Sequence, residues 1–90
     1  MELEMRDQFH MIFFALKNEY KEFSALSGKK EQRKKNDMIR SAMTMTGMIG
    51  SLRTLNNFLD DDDFSSKITQ SDAMIRLRVM PELNAIYGVS

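Results

Sequence analysis

The chain has 90 residues, its thirteen basic and thirteen acidic side chains cancel, and it contains no cysteine. This length is typical of one small domain, which buries only about two-thirds of the surface of its unfolded chain. The balanced charge argues against general attraction to nucleic acid or to an anionic membrane. The lack of cysteine excludes disulfides and thiolate zinc sites. We therefore predict a single domain over residues 1–90, whose stability would gain from assembly.

The N-terminus and the apolar stretches bear on cellular location. Two of the first four residues are glutamates, unlike the basic start of a signal peptide. Arg40 and Arg53 interrupt the longest apolar stretch, which falls short of the roughly 20 residues that a membrane-spanning helix needs. These features predict a soluble cytoplasmic protein with no membrane partner.

The first predicted helix covers residues 3–26. Apolar and aromatic side chains recur there at helical spacing, and neither proline nor glycine interrupts them. These side chains are Met5, Phe9, Ile12, Phe13, Leu16, Tyr20 and Phe23. Ser27 and Gly28 form a stop signal, because glycine readily adopts the left-handed conformation that ends many helices.

The second predicted helix begins within residues 29–36 and ends near Leu59. Apolar side chains spaced by three and four residues form one stripe along it, with Asn56 as a single polar break. The stripe consists of Met38, Ala42, Met45, Ile49, Leu52 and Leu59. We expect this stripe to pack against the rest of the domain.

This second helix has more apolar surface than one stripe provides. The additional apolar residues are Ile39, Met43, Met48, Leu55 and Phe58, and a seam of small residues consists of Ser41, Thr44, Gly47, Ser51 and Thr54. Gly47 and Gly50 each cost the helix ~1 kcal/mol relative to alanine, and their position indicates close approach by a neighbouring backbone. The surplus predicts a homo-oligomer.

The C-terminal third gives weaker signals. The aspartates at 60–63 and the following residues 64–66 are predicted to form a loop, with Thr69 or Ser71 capping a short helix after it. Residues 75–79 alternate between apolar and basic side chains, as a strand does. We favour a helix there, because no other segment offers a partner strand.

Pro81 suits the first turn of a final short helix that ends at Gly88. The predicted fold is therefore all-α: two long helices and one or two short C-terminal helices form one domain, which assembles as a homo-oligomer.

Patterns for catalysis and metal binding are missing. His10 is the only histidine, so neither a two-histidine metal site nor a Ser-His pair with a second base is available. The aspartate run lacks the turn glycine of a calcium loop, and the twelfth position from Asp60 is Ser71 instead of glutamate. No glycine-rich phosphate-binding motif occurs. We predict a binding protein and not an enzyme, with no cofactor and no metal.

Helix one carries a basic strip. At 100° per residue its members fall within about 60° of one another. They are Arg6, His10, Lys17 and Lys21. Phe13 and Phe14 flank the strip, and cations beside aromatic faces suit a ligand that contains both a base and a phosphate. In the alternative interpretation, both phenylalanines are core residues, and the cations are solvated or pair with the aspartates.

Residues 29–35 carry five positive charges against one negative charge. Such a run can follow nucleic-acid phosphates, or it can be a solvated helix start. Cations oppose the dipole at a helix N-terminus, which slightly favours an anionic partner. Because the net charge is zero, nucleic acid is not the expected partner.

Two short segments resemble one protein family. Residues 16–21 read Leu-Lys-Asn-Glu-Tyr-Lys and are similar to an Asn-Glu-x-Lys stretch whose lysine holds a ligand phosphate. Residues 70–74 read Gln-Ser-Asp-Ala-Met and, with Arg78 and Pro81, are similar to a Gln-Thr-x-x-Met…Arg…Pro pattern. Both patterns belong to the phage anti-CBASS sponges, small helical proteins that sequester cyclic oligonucleotide immune messengers without cleaving them.

The resemblance implies a compact homohexamer with ligand sites between subunits, in which Lys21 holds a phosphate. This chain lacks the family's Gly-Tyr-Arg turn before helix one, so the base-stacking tyrosine has no direct counterpart. Phe9 or Phe13 is the candidate substitute.

We therefore predict a protein that sequesters cyclic di- or trinucleotides and so blocks antiviral signalling, in the host cytoplasm if a phage encodes it. The expected ligand-binding residues are Lys21, Lys17 and Arg6 for phosphates, Phe13 or Phe9 for a base, and Arg53, Arg76 and Arg78 for a second anion site between subunits. Two alternatives stay open: a small phage or bacterial regulator that binds a host protein, and a helical nucleic-acid binder that uses residues 29–35.

Overall fold

The chain folds into a hairpin of two long helices that is covered by a third, composite helix. The structure, a computed structural model, describes residues 1–88. Its elements are α1 (Glu2–Leu26), α2 (Gln32–Leu59), α3 (Asp62–Met74), a π-helical segment (Ile75–Val79) and α4 (Met80–Tyr87). The last three follow one another without a break, and residues 1–88 contain no strand. The predicted all-α fold with two long helices is confirmed.

The composite helix runs parallel to α1. Its start is tied to the first turns of α1, where Arg6 Nη1 donates to Asp61 Oδ2 at 2.7 Å. Its end is tied to the end of α1, where Ser27 Oγ donates to Glu82 Oε1 at 2.7 Å. The resulting molecule measures 45 × 22 × 15 Å. Among the described residues, no helix has an apolar stretch long enough to cross a lipid bilayer.

The core forms where the apolar stripes of the helices meet. Its buried apolar members are Phe9, Leu16, Phe23, Met38, Ala42, Met45, Ile49, Leu52, Phe64, Ile68, Ile75 and Val79. The stripe expected on α2 is therefore confirmed, with Leu59 half-buried at its end. Each fully buried Leu, Phe or Met side chain contributes about 1.5–3 kcal/mol of transfer free energy, so the shared stripe holds the hairpin together.

The loop prediction for residues 60–66 is wrong beyond Asp61, because α3 already begins at Asp62. The Asp61 carboxylate accepts a hydrogen bond from the Phe64 N–H at 3.1 Å and so caps the helix. Asp62 and Asp63 then lie in the first turn, where negative charge favours the helix dipole. The aspartate run is thus largely the start of a helix.

Thr69 and Ser71 lie inside α3, so the prediction that one of them caps a helix is also wrong. Their hydroxyls instead donate to backbone carbonyls one turn earlier, at 3.0 Å to Ser65 and at 2.8 Å to Lys67. This back-bonding satisfies a hydroxyl within a helix without capping it.

The segment Ile75–Val79 is helical, as favoured, but it forms a π-helix. The Met80 N–H donates to the Ile75 carbonyl, five residues earlier. Proline inside an α-helix lacks a donor and clashes with the carbonyl four residues before it. The wider turn directly ahead of Pro81 lets the composite helix continue across that residue. The final helix, with Pro81 in its first turn and left-handed Gly88 after it, is confirmed.

The small-residue seam of α2 has few neighbours within the chain. Ser41 is buried, and its hydroxyl lies 3.5 Å from the Glu19 carbonyl oxygen of α1. The rest of the seam is exposed. A Cβ atom built at Gly47 or Gly50 would meet no other atom within 4 Å. The close backbone neighbour expected there is therefore not part of the described chain.

Candidate ligand-binding groove

A groove of about 430 Å³ lies between α1 and α3. It is lined by Phe13, Leu16, Lys17, Tyr20 and Lys21 from α1 and by Lys67, Gln70, Ser71 and Met74 from α3. Leu16 and Ser71 are buried at its floor, whereas Lys17 and Lys21 are exposed at its rim. This volume falls within the range of small-molecule sites, about 300–1,000 Å³.

Helical spacing explains how these side chains share one groove. On α1, the residues Phe13, Lys17 and Lys21 follow one another at intervals of four, so they stand on one edge of the helix. On α3, the steps from Lys67 to Ser71 and Met74 are four and three residues. Because the composite helix runs parallel to α1, the two rows face each other along the groove.

The rim of the groove is positively charged. The Lys17 ammonium lies 4.7 Å from the centroid of the Phe13 ring, a cation–π contact. Lys67 pairs with Asp63 one turn away on α3. Within residues 1–88, neither Lys17 nor Lys21 forms an ion pair. Like charges one helical turn apart repel weakly, so an anion bound between Lys17 and Lys21 would relieve that repulsion.

The floor of the groove is largely apolar and aromatic. Phe13, Tyr20 and Met74 are half-buried and leave part of each side chain open to the groove. An aromatic ring beside paired ammonium groups can stack on a planar base while the cations hold a phosphate. The arrangement therefore suits a ligand that combines both groups.

Two other predicted site residues lie elsewhere. Phe9 is completely buried, with its ring stacked on Phe64 at a centroid distance of 3.9 Å, so in this conformation it offers no face to a ligand. Arg6 donates to Asp61 and, at 3.2 Å, to Glu2. The hydrogen bond to Asp61 is the main cause of the raised pKa of Arg6. Both residues thus serve the packing and capping of α3.

The other residues of the basic strip and its flanking phenylalanines lie partly inside and partly outside the groove. His10 is exposed, and its ring stands edge-on to Phe64 at 5.3 Å. Phe13 is half-buried in the groove, whereas Phe14 is 66% exposed and is not a core residue of this chain. Of the strip, the groove collects Lys17 and Lys21.

The three arginines proposed for a second anion site do not converge within one chain. Arg53 and Arg76 both lie beside Asp72, at 3.5 and 3.4 Å. Arg78 instead lines a separate cavity of about 550 Å³ with Tyr20 and Pro81, between the end of α1 and the π-helical segment. Any site that uses all three arginines would need residues from more than one copy.

Sequence reasoning did not single out Lys67, which faces the α1 lysines across the groove. The usable signal was its helical spacing to Ser71 and Met74. This spacing places the three side chains on one face only if residues 67–74 are helical. The sequence instead predicted a loop over residues 60–66 and a later helix start.

Comparison of the chain with protein-family models, curated proteins and solved structures found no match. Within residues 1–88, no three His, Cys, Asp or Glu side chains cluster closely enough to hold a metal ion.

Proposed function

We propose that this protein is a non-enzymatic binder that sequesters cyclic di- or trinucleotides. The observation that carries the proposal is the pair Lys17 and Lys21 on the rim of an aromatic and apolar groove, with Lys67 on the opposite wall. Lys21 and Lys17 hold the phosphates through charge-assisted hydrogen bonds. Phe13 stacks on a base.

The family resemblance noted above points to the same groove. Both segments that resemble the anti-CBASS sponges contribute to the walls of this groove. Residues 16–21 contribute Leu16, Lys17, Tyr20 and Lys21, and residues 70–74 contribute Gln70, Ser71 and Met74. Arg78 and Pro81, which complete the second pattern, line the neighbouring cavity that shares Tyr20. Segments 50 residues apart in the sequence thus meet at one place, as parts of one site do. On this proposal the protein is a phage product that blocks host antiviral signalling as a homo-oligomer, a hexamer by the resemblance.

On this proposal the groove binds the messenger without cleaving it. The nine residues around the groove include no histidine, carboxylate or cysteine that would act as a base or nucleophile. The Ser71 hydroxyl is bonded to the Lys67 carbonyl within its own helix. A messenger held there is withdrawn from signalling but is chemically unchanged.

The direct test is native mass spectrometry and calorimetric titration of the purified protein with a panel of cyclic di- and trinucleotides. We expect at least one of them to bind, with the stoichiometry of one site per groove, and to be recovered intact. If none of them binds, the proposed function fails.

Replacement of Lys21 by alanine tests the site. Loss of a charge-assisted hydrogen bond to phosphate should weaken binding by about ten- to a hundredfold. Helicity and oligomeric state should stay unchanged, because Lys21 is exposed and lies off the core stripe of α1. Lys30→Ala, which removes an exposed lysine outside the groove, is the matched control. Equal affinity of Lys21→Ala and wild type would show that the ligand lies elsewhere.

A regulator that binds a host protein is the second candidate, and a different surface favours it. Met11 and Phe14 on α1 are 71% and 66% exposed, and exposed methionines and aromatics are common at protein-binding sites. Two results together would favour this candidate. The wild-type protein would bind no cyclic nucleotide but would retain a host protein, and Phe14→Ser would abolish that retention.

A further inference from the structure

The exposed side of α2 differs from an ordinary solvated helix face. Ten residues between Met43 and Phe58 are exposed, and Arg53 is the only charged one among them. The exposed residues of α1 include six charged side chains. On α2, Met43 and Phe58 are 70% and 73% exposed. A solvated face of a helix normally carries many charges, so this side of α2 is suited to a protein contact.

The exposed α2 residues that point away from the core form one row. We call it the outer stripe, and it consists of Met43, Gly47, Gly50, Ser51, Thr54 and Phe58. Beside it, Gln8 and Ile12 of α1 help to line a shallow depression of about 570 Å³. The two glycines lower the helix propensity of α2, yet no atom of the described chain uses the space above them. A backbone from outside the chain can approach there.

The distribution of charge along α2 indicates which partner covers the outer stripe. The basic residues 29–35 and the acidic residues 60–63 lie at opposite ends of α2. At 1.5 Å per residue, the 28 residues of this helix separate them by about 40 Å. That distance is several Debye lengths at physiological salt, so the two clusters do not neutralise each other within one molecule. Within residues 1–88, no cation of the basic run forms an ion pair, and neither do Asp60 and Asp62.

Gly47 lies midway along the sequence between Gln32, the centre of the basic run, and the Asp61–Asp62 peptide, the centre of the acidic run. A twofold axis beside Gly47 and Gly50 would therefore place each basic run of an antiparallel pair against the acidic run of the other copy. The uncharged, small-residue centre would lie at the closest approach. An interface of the usual ~800 Å² per partner would cover most of one 45 × 22 Å side of the molecule, about 990 Å².

We propose that two copies of this chain associate through the outer stripe, with their α2 helices antiparallel around a twofold axis near Gly47 and Gly50. Each pair of facing ends then joins the basic run of one copy to the acidic run of the other. A shallow crossing of about 20°, as in helical bundles, keeps these ends within reach of long lysine side chains. The interface is independent of the ligand groove, so its failure and that of the proposed function are distinguishable.

Gly47→Leu tests the contact. A Cβ atom at this position meets no atom of a neighbouring element, and leucine improves helix propensity, so thermal unfolding of the monomer should be unchanged or shifted upward. Self-association measured by analytical ultracentrifugation should weaken at least tenfold, because leucine separates the two backbones. Ser66→Leu, at an exposed position of α3, should associate like wild type. A wild-type chain that is monomeric at 100 µM, or a Gly47→Leu chain that associates like wild type, would overturn the proposal.

Cross-linking tests the orientation, and the lack of native cysteine makes the readout specific. Asn36→Cys places a thiol near the start of α2, and Asp62→Cys places one at the start of α3, just beyond the other end of α2. A short bismaleimide should link a mixture of the two variants but neither variant alone, since like ends lie about 40 Å apart in the antiparallel pair. Self-linking of Asn36→Cys would show a parallel pair, and a mixture that gives no link would also overturn the proposal.

Discussion

At the residue scale, one polar junction explains the roles of Asn56 and Asp61, which the sequence alone did not indicate. Asn56 interrupts the apolar stripe of α2, and its side chain binds the turn before α3. Its Oδ1 accepts the Asp61 N–H at 3.0 Å, and its Nδ2 donates to Ser65 Oγ at 2.8 Å. Asp61 caps α3 and also holds Arg6 of α1. Asn56 and Asp61 therefore join all three helices at one end of the molecule.

We expect Asp61→Ala to lower the melting temperature by about 4–8 °C, the effect of losing one helix N-cap in a domain of this size. The hydrogen bond from Arg6 holds the pKa of Asp61 below its ordinary value of 3.8. A lowered folded-state pKa means that the stabilisation is present above pH 3.8 and is lost as pH falls through the folded-state value.

Thermal unfolding of wild type and Asp61→Ala over a pH series measures that difference. The two melting temperatures should converge at acidic pH and stay apart at neutral pH. Asp7→Ala is the control, because Asp7 is exposed, lies beyond the first turn of α1 and forms no ion pair within residues 1–88. A constant difference from pH 7 to pH 2 would contradict the role of the carboxylate.

At the scale of elements, the sequence predicts those helices that have long periodic stripes. The spacing of apolar residues located α1 and α2, and Gly28, with φ of 81°, ends the first as expected. α3 was placed too late because four consecutive aspartates are compatible with either a solvated loop or a helix start. What decides between them is the Asp61–Phe64 bond and the packing of Phe64 on Phe9, and the second is a long-range contact.

The same distinction holds for the groove. Phe13, Lys17 and Lys21 were identified because they share one edge of a single helix. Lys67 and the α3 wall were missed because only the packing of α3 beside α1 brings them there. Phe9 was chosen as a candidate for its type, but helical spacing cannot distinguish a ring that faces a ligand from one buried against another helix.

Two methionines of α2 provide a matched test of this packing. Met45 is completely buried, whereas Met43 is 70% exposed. Met45→Ala should lower the free energy of unfolding by ~2–5 kcal/mol, because it removes buried methylenes and leaves a cavity. Met43→Ala should change it by less than ~0.5 kcal/mol. Urea denaturation at low protein concentration, where self-association does not contribute, measures both values, and equal losses would contradict the assigned core face.

At the scale of the whole molecule, zero net charge conceals a strong asymmetry. The basic run and the aspartate run lie at opposite ends of a molecule 45 Å long. Nucleic acid would meet five cations at one end and repulsion from the aspartates at the other. In the paired arrangement proposed above, the basic run is also covered by the acidic end of a second copy. Both effects work against the nucleic-acid alternative.

We therefore expect weak or no binding of a random-sequence oligonucleotide duplex or single strand at physiological salt. If the five cations of residues 29–35 did contact phosphates, counterion release would weaken duplex binding by up to about 500-fold between 50 and 200 mM salt. Fluorescence anisotropy across that salt range, with the double variant Lys34→Ala and Lys35→Ala beside wild type, separates the two cases. Sub-micromolar binding with that salt dependence, reduced in the double variant, would place the nucleic-acid function above the sequestration of cyclic nucleotides. Weak binding by both proteins, with no dependence on salt, would argue against a nucleic-acid role for the basic run. It would be consistent with a role of this run in the association of two copies.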